Sequence, residues 1–214
     1  MLDKDRIEKE KLEIIQKLYR NAFFELERVN PKDVSEKSGT KYITTKEAYG
    51  KFVIPYLNRE IIVNLNDKNV YWFNSNKKVD LYLSVLTLHY LLRCTLKKIG
   101  EGWISYREIP DASFYSKTMQ HTLHPLIASF SEKPDNLLLA AQNLSGKKIS
   151  IGDIGIELKP FPKFPVAFIL YKADEEFPAT ATVLYNESVK NLLSAEEVKV
   201  LTIFLINELI KVKI

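Results

Sequence analysis

The stretch 80–110, DLYLSVLTLHYLLRCTLKKIGEGWISYREIP, constrains the fold most, because its helical part has hardly any polar face. Leu81, Val85, Leu88, Leu92 and Leu96 recur at spacings of three and four, and Leu83, Leu86, Tyr90 and Leu91 carry the apolar surface most of the way round. Such a helix must be buried, so the rest of the chain has to supply its cover. Asp80 offers an N-cap acceptor to the first-turn N–H groups. Lys97 and Lys98 suit the negative end of the helix dipole and Gly100 suits a left-handed stop, which predicts a helix over 80–98. His89, Arg93 and Lys97 are four apart and form one polar line on it. That line is the solvent edge of a partly covered helix, a satisfied core histidine with charged neighbours, or one wall of a site.

Beyond Gly100, the run EGWISYREIP sets Trp103, Tyr106, Arg107 and Glu108 close to the helix end. Aromatic bodies with polar tips suit a pocket wall. The plainer alternative is that Trp103 caps the core and Arg107 pairs with a nearby acid.

With 214 residues, 46% of them hydrophobic, the chain can bury one substantial core, and a single domain over 1–214 is expected. Charged residues make up 27%, with a net charge of only +4 and no long run of one sign, which argues against a nucleic-acid partner. The single cysteine, Cys94, excludes a disulfide framework and a metal cluster held by this chain's own thiolates. The opening Met-Leu-Asp-Lys-Asp lacks the basic-then-apolar order of an export signal, and the apolar runs fall short of the ~18 residues that cross a bilayer. A cytoplasmic protein without a membrane partner is expected.

Read in order, the apolar stripe Leu12, Ile15, Tyr19, Ala22, Phe23 and Leu26 predicts an amphipathic helix over 3–28. The polar stretch VNPKDVSEKSGT reads as a loop with a helical turn at most. KYITT, KFVIPYL, EIIVNL and VYWF predict an antiparallel meander over 41–73, with Pro55 marking an edge or a bulge. A helical region over 113–144 follows the central helix, capped by Asp111 or Ser113, interrupted near His124 by Pro125 and closed by Ser145-Gly146. A second strand block spans 147–185, with PVAFILY as its central strand. The capping box of Ser194 and Glu197 opens a C-terminal helix over 195–211. Strands and helices come in blocks, which indicates α+β: antiparallel sheets packed with a buried central helix and amphipathic terminal helices.

Two further constellations could carry chemistry. His121 and His124 can offer two imidazoles to one metal, with Asp174, Glu175 or Glu176 as a third ligand. The acidic turn Asp174-Glu175-Glu176, before Phe177-Pro178, calls for a cation such as Arg93 or Arg107, unless it is a solvated hairpin tip. No glycine-rich phosphate loop, GxSxG or CxxC is present.

The order GTKY, LHYLLR, GEGWISYREIP, HPLIASF, DEEFPA, VLYNES resembles a bacterial and archaeal family known as a domain of unknown function, common in anaerobes. The likeness runs from about Asp33 to Leu205. It implies an accessory role beside corrinoid or iron–sulfur methyl-transfer proteins, one of which would be the partner, and leaves any cofactor of this chain open. It also implies a shared site at His89, Tyr90, Arg93, Trp103, Arg107, Glu108, Asp174, Glu175, Glu176, Phe177 and Pro178. The sequence departs from the pattern at Asp111-Ala112-Ser113, where glycines are usual, and at Asn186, where Asp is usual. Three functional readings stand: a ligand-binding accessory protein, an acid/base or metal enzyme using His89 or His124 with the 174–176 carboxylates, and an interface protein whose motif residues form a structural ion-pair network.

Overall fold

The structure, a computed structural model, describes residues 2–44, 49–75, 77–95 and 98–212. Leu96 and Lys97, expected in the last turn of the central helix, and Thr45 of KYITT lie outside the described residues. Among the described residues the fold is α+β, as expected, with the strands in two antiparallel sheets. The chain divides into two compact units, Met1–Ile54 with Glu60–Thr95 and Pro55–Arg59 with Leu96–Ile214.

The first unit carries helices α1 (Leu2–Leu26), α2 (Pro31–Ser38) and α3 (Leu81–Arg93) and, apart from the hairpin end Pro55–Arg59, a sheet of β1 (Lys41–Ile43), β2 (Lys51–Tyr56), β3 (Arg59–Asn64) and β4 (Asn69–Trp72), in the order β1-β2-β3-β4. Consecutive order is the expected meander. Pro55 sits in β2, yet β1 pairs only with Lys51 to Val53, so the strand is an edge where the proline lacks its donor.

α3 begins as read: the Asp80 carboxylate accepts from the backbone N–H of Tyr82 at 2.9 Å and of Leu83 at 3.3 Å. Leu83 to Leu91 are all buried, and the hydroxyls of Ser84 and Thr87 donate back to carbonyls of their own helix. The end differs from the expected 98. Cys94 turns to extended backbone (φ −73°, ψ 97°), so Arg93 holds the last turn and Gly100 caps no helix. The Cys94 thiol bonds to the Lys37 carbonyl at 3.2 Å, and the Tyr90 hydroxyl donates to the Ser38 carbonyl at 2.6 Å. Both acceptors belong to α2, which replaces the expected loop. Its signals are Asn30 as N-cap, Pro31 in the first turn and Gly39 in left-handed geometry (φ 71°) just past the end. α1 packs on α3 through its last turns, where Ala22, Phe23 and Leu26 are buried. Tyr19 stacks edge-on to Phe23 and donates to the Lys68 carbonyl, and the Lys68 ammonium pairs with Glu27 at 2.9 Å.

The second unit has a sheet of β5 (Trp103–Ser105), β6 (Lys147–Ile149), β7 (Ile154–Phe161), β8 (Phe164–Tyr171) and β9 (Thr180–Asn186), ordered β5-β9-β8-β7-β6. β8, the PVAFILY strand, is central as expected, with Phe164 to Leu170 all buried. Contrary to the turn expected after Gly100, β5 is a short edge strand, with Trp103 opposite Asn186 and Ser105 opposite Leu184. The helical region 113–144 is α4 (Ser116–Thr122), α5 (His124–Phe130) and α6 (Asp135–Asn143), preceded by a 3-10 turn at Ala112–Phe114. Asp111 takes a left-handed backbone (φ 62°) and makes no side-chain cap, contrary to its expected role. Pro125 falls in the first turn of α5, where a missing N–H costs nothing. α7 (Ala195–Lys211) opens on the expected capping box and is tied to β9 by a buried 2.6 Å bond between the Tyr185 and Thr202 hydroxyls.

Tyr90→Phe removes the α3–α2 bond and leaves the Ser38 carbonyl without that donor. Urea unfolding should show a loss of about 1–3 kcal/mol.

Candidate functional site

The polar line on α3 opens into a cleft. In the first unit, α3 and the end of α1 enclose about 500 Å³, with His89, Leu92 and Arg93 on one wall and Leu18, Asn21, Ala22, Glu25 and Arg28 on the other. Ala22 and His89 are buried, whereas the charged groups stand at the rim. A helix that buries Leu88, Leu91 and Tyr90 turns His89 and Arg93 to its remaining side, which is why spacing by four puts both at the cleft.

Arg93 Nη2 lies 3.3 Å from His89 Nδ1. A guanidinium only donates, so Nδ1 accepts and the imidazole carries its proton on Nε2. The Arg28 guanidinium lies 3.7 Å above the Phe24 ring, a cation–π contact that holds it beside the cleft. Among the described residues that line the cleft, two guanidiniums and a histidine thus stand with one carboxylate, Glu25. Tyr90 is on the same helix but serves α2 with its hydroxyl, so its position is structural.

The remaining expected site residues lie in the second unit. Glu108 accepts from the Ser105 backbone N–H at 2.7 Å and hydroxyl at 2.8 Å, closing the turn after β5. These bonds, the backbone one first, hold the Glu108 carboxyl below the usual carboxylate range. Arg107 is exposed and, among the described residues, pairs with no acid, so the expected pairing with the acidic turn does not form. Asp174 instead accepts from the backbone N–H groups of Glu176 at 2.9 Å and Phe177 at 2.7 Å, an Asx turn at an exposed tip, with Phe177 65% exposed. The turn precedes Thr180, while Trp103 pairs with Asn186 at the other end of β9. Six residue steps along the strand separate these ends by about 20 Å, so β9 keeps Trp103 away from the acidic turn.

The rings of His121 and His124 are 5.2 Å apart and nearly perpendicular. Among the described residues no three His, Cys, Asp or Glu side chains are placed to hold a metal, so the third ligand expected from 174–176 is not supplied.

The GEGW turn has a function in the fold that sequence reading missed. The Asn186 amide donates to the Gly100 carbonyl at 2.7 Å and the Gly102 carbonyl at 3.3 Å, and its oxygen accepts from the Ser188 N–H. The Ser188 hydroxyl accepts from the Gly100 N–H at 2.7 Å. Asp at 186 could not donate to either carbonyl, which gives the Asn its physical reason. Glu187 lies across both glycines, and a Cβ on Gly100 would run into its Oε1.

Gly100→Ala is therefore expected to lower stability by at most about 1 kcal/mol in urea unfolding, because the exposed Glu187 side chain can swing aside, and Glu187→Ala in the same chain to recover part of the loss. Because the Glu108 midpoint is depressed, its contribution is present at neutral pH and is lost as pH falls through that midpoint. Ser105→Ala should move the midpoint part of the way up, as read from the Glu108 side-chain carbons by NMR titration.

No match is found among curated proteins or among solved structures. Residues 30–208 match the family model described as "Domain of unknown function (DUF3786)", which includes the α3 wall of the cleft and leaves the α1 wall before it. The chain belongs to the DUF3786 family.

Proposed function

We propose that the chain is a ligand-binding accessory protein that takes a small anion, a carboxylate or a phosphate, in the cleft between α1 and α3. The observation that carries this reading is the Arg93–His89 contact. It orients a guanidinium on a buried ring at the edge of a 500 Å³ cleft, with Arg28 on the opposite wall. Guanidiniums present their donors in a planar fork that matches carboxylate and phosphate oxygens, and the cleft is of the size that ligand sites usually have. Leu18, Ala22 and Leu92 give the anion an apolar surround, and Glu25 disfavours ligands of high charge.

A role beside corrinoid or iron–sulfur proteins, in the cytoplasm, remains part of this proposal through the resemblance alone. Cys94 is the single cysteine and is buried against α2, so a cluster would be carried on a partner's thiolates.

Calorimetric titration with acetate, succinate and inorganic phosphate tests the reading. At least one should bind, and Arg93→Ala should weaken it by roughly 10- to 100-fold, the worth of a charge-assisted hydrogen bond. Arg93→Lys should restore only part, since an ammonium lacks the fork. Failure of all three anions to bind, or binding indifferent to Arg93→Ala, contradicts the proposal.

A further inference from the structure

α1 is longer than its packing needs. Its 25 residues make a rod of about 37 Å, yet among the described side chains the buried ones are Ala22, Phe23 and Leu26, all in the last two turns. From Arg6 to Leu18 no described side chain is buried. An isolated helix of that length is marginal in water, and the exposed Arg6–Glu10 pair at 3.6 Å adds only a few tenths of a kcal/mol. Nevertheless this half bears large exposed apolar groups: Leu12, 45% exposed, on the face that continues to Phe23 and Leu26, and three more on a separate face. Ile7, Ile14 and Leu18 are 43%, 62% and 39% exposed.

With Lys11, these residues fall at positions 7, 11, 14 and 18, the four-three-four spacing of a coiled-coil seam. Leu18 ends the apolar seam and is also the first residue of the cleft wall, and the continuation at Asn21 and Glu25 is polar. We infer that this half of α1 is a docking surface for the same half of α1 in a second copy of the chain, in antiparallel orientation.

Charge selects both the occupant and the direction. In a parallel pair Lys11 would meet Lys11 of the second copy across the seam, a like-charge contact. Antiparallel pairing sets Ile7 against Leu18 of the second copy and Lys11 against Ile14, where the lysine stem lies along apolar surface and its ammonium reaches water. The residues just before Lys11 and Leu18 are Glu10 and Lys17, which flank the seam on the same side. In the antiparallel pair Glu10 of each copy faces Lys17 of the other, so two ion pairs of opposite sign close one edge. The α1 seam is thus complementary to itself in one direction only.

Sedimentation velocity over a wide concentration range reads the result. The wild-type chain should pass from monomer to dimer as concentration rises. Ile14→Asp, at a solvent-facing position, should keep it monomeric with the remaining fold intact by circular dichroism. Glu10→Lys should weaken the dimer by placing lysine against lysine, and Glu10→Lys with Lys17→Glu should restore it. A chain that stays monomeric throughout overturns the inference, as does a dimer indifferent to Ile14→Asp or a double charge swap that fails to restore what Glu10→Lys removes.

Discussion

The burial of α3 is the constraint on which the first unit depends. A thirteen-residue helix whose central nine residues are all buried cannot stand at a surface, and each large aliphatic side chain removed from water contributes about 1.5–3 kcal/mol. α1 covers one side of it, and α2 is pinned at its end by the Tyr90 and Cys94 bonds. Once those sides are taken, the line of His89 and Arg93 is what remains for a site. The chemistry of the cleft is therefore a by-product of how the core is closed. The α1 wall adds Arg28 and Glu25 to groups that α3 alone would present to water.

The second unit works by a different constraint. Its sheet is built around β8, whose residues from Phe164 to Leu170 are buried on alternate sides, so both faces need cover. α7 ties itself to β9 through Tyr185 and Thr202, and β5 is attached at the outer edge by the Asn186, Glu187 and Ser188 cluster against the two glycines. The two glycines of the GEGW motif are thus explained by backbone approach and capping.

Features with a long periodic signal were legible from the sequence: the start of α3, the meander, the central place of β8 and the capping box of α7. The end of α3 was not, because the apolar spacing runs on through Leu96 while the backbone turns at Cys94. α2 was missed for want of apolar periodicity, although Asn30, Pro31 and Gly39 carried its caps. β5 has three residues and owes its identity to pairing with β9, which no local pattern reveals. In the site, the spacing of His89 and Arg93 was visible, whereas Asn21, Glu25 and Arg28 were not. They lie more than sixty residues away on a helix read only for its apolar stripe. The acidic turn looked like a charge cluster in need of a cation, but Asp174 is held by its own backbone.

The anion site proposed for the cleft depends on one hydrogen bond, from Arg93 to His89 Nδ1. The imidazole nitrogen shifts of His89 in a long-range proton–nitrogen NMR spectrum report it most directly. Donation from Arg93 requires an unprotonated Nδ1 and a protonated Nε2. A ring protonated on Nδ1 could not accept from Arg93, and the oriented guanidinium on which the anion site depends would be contradicted.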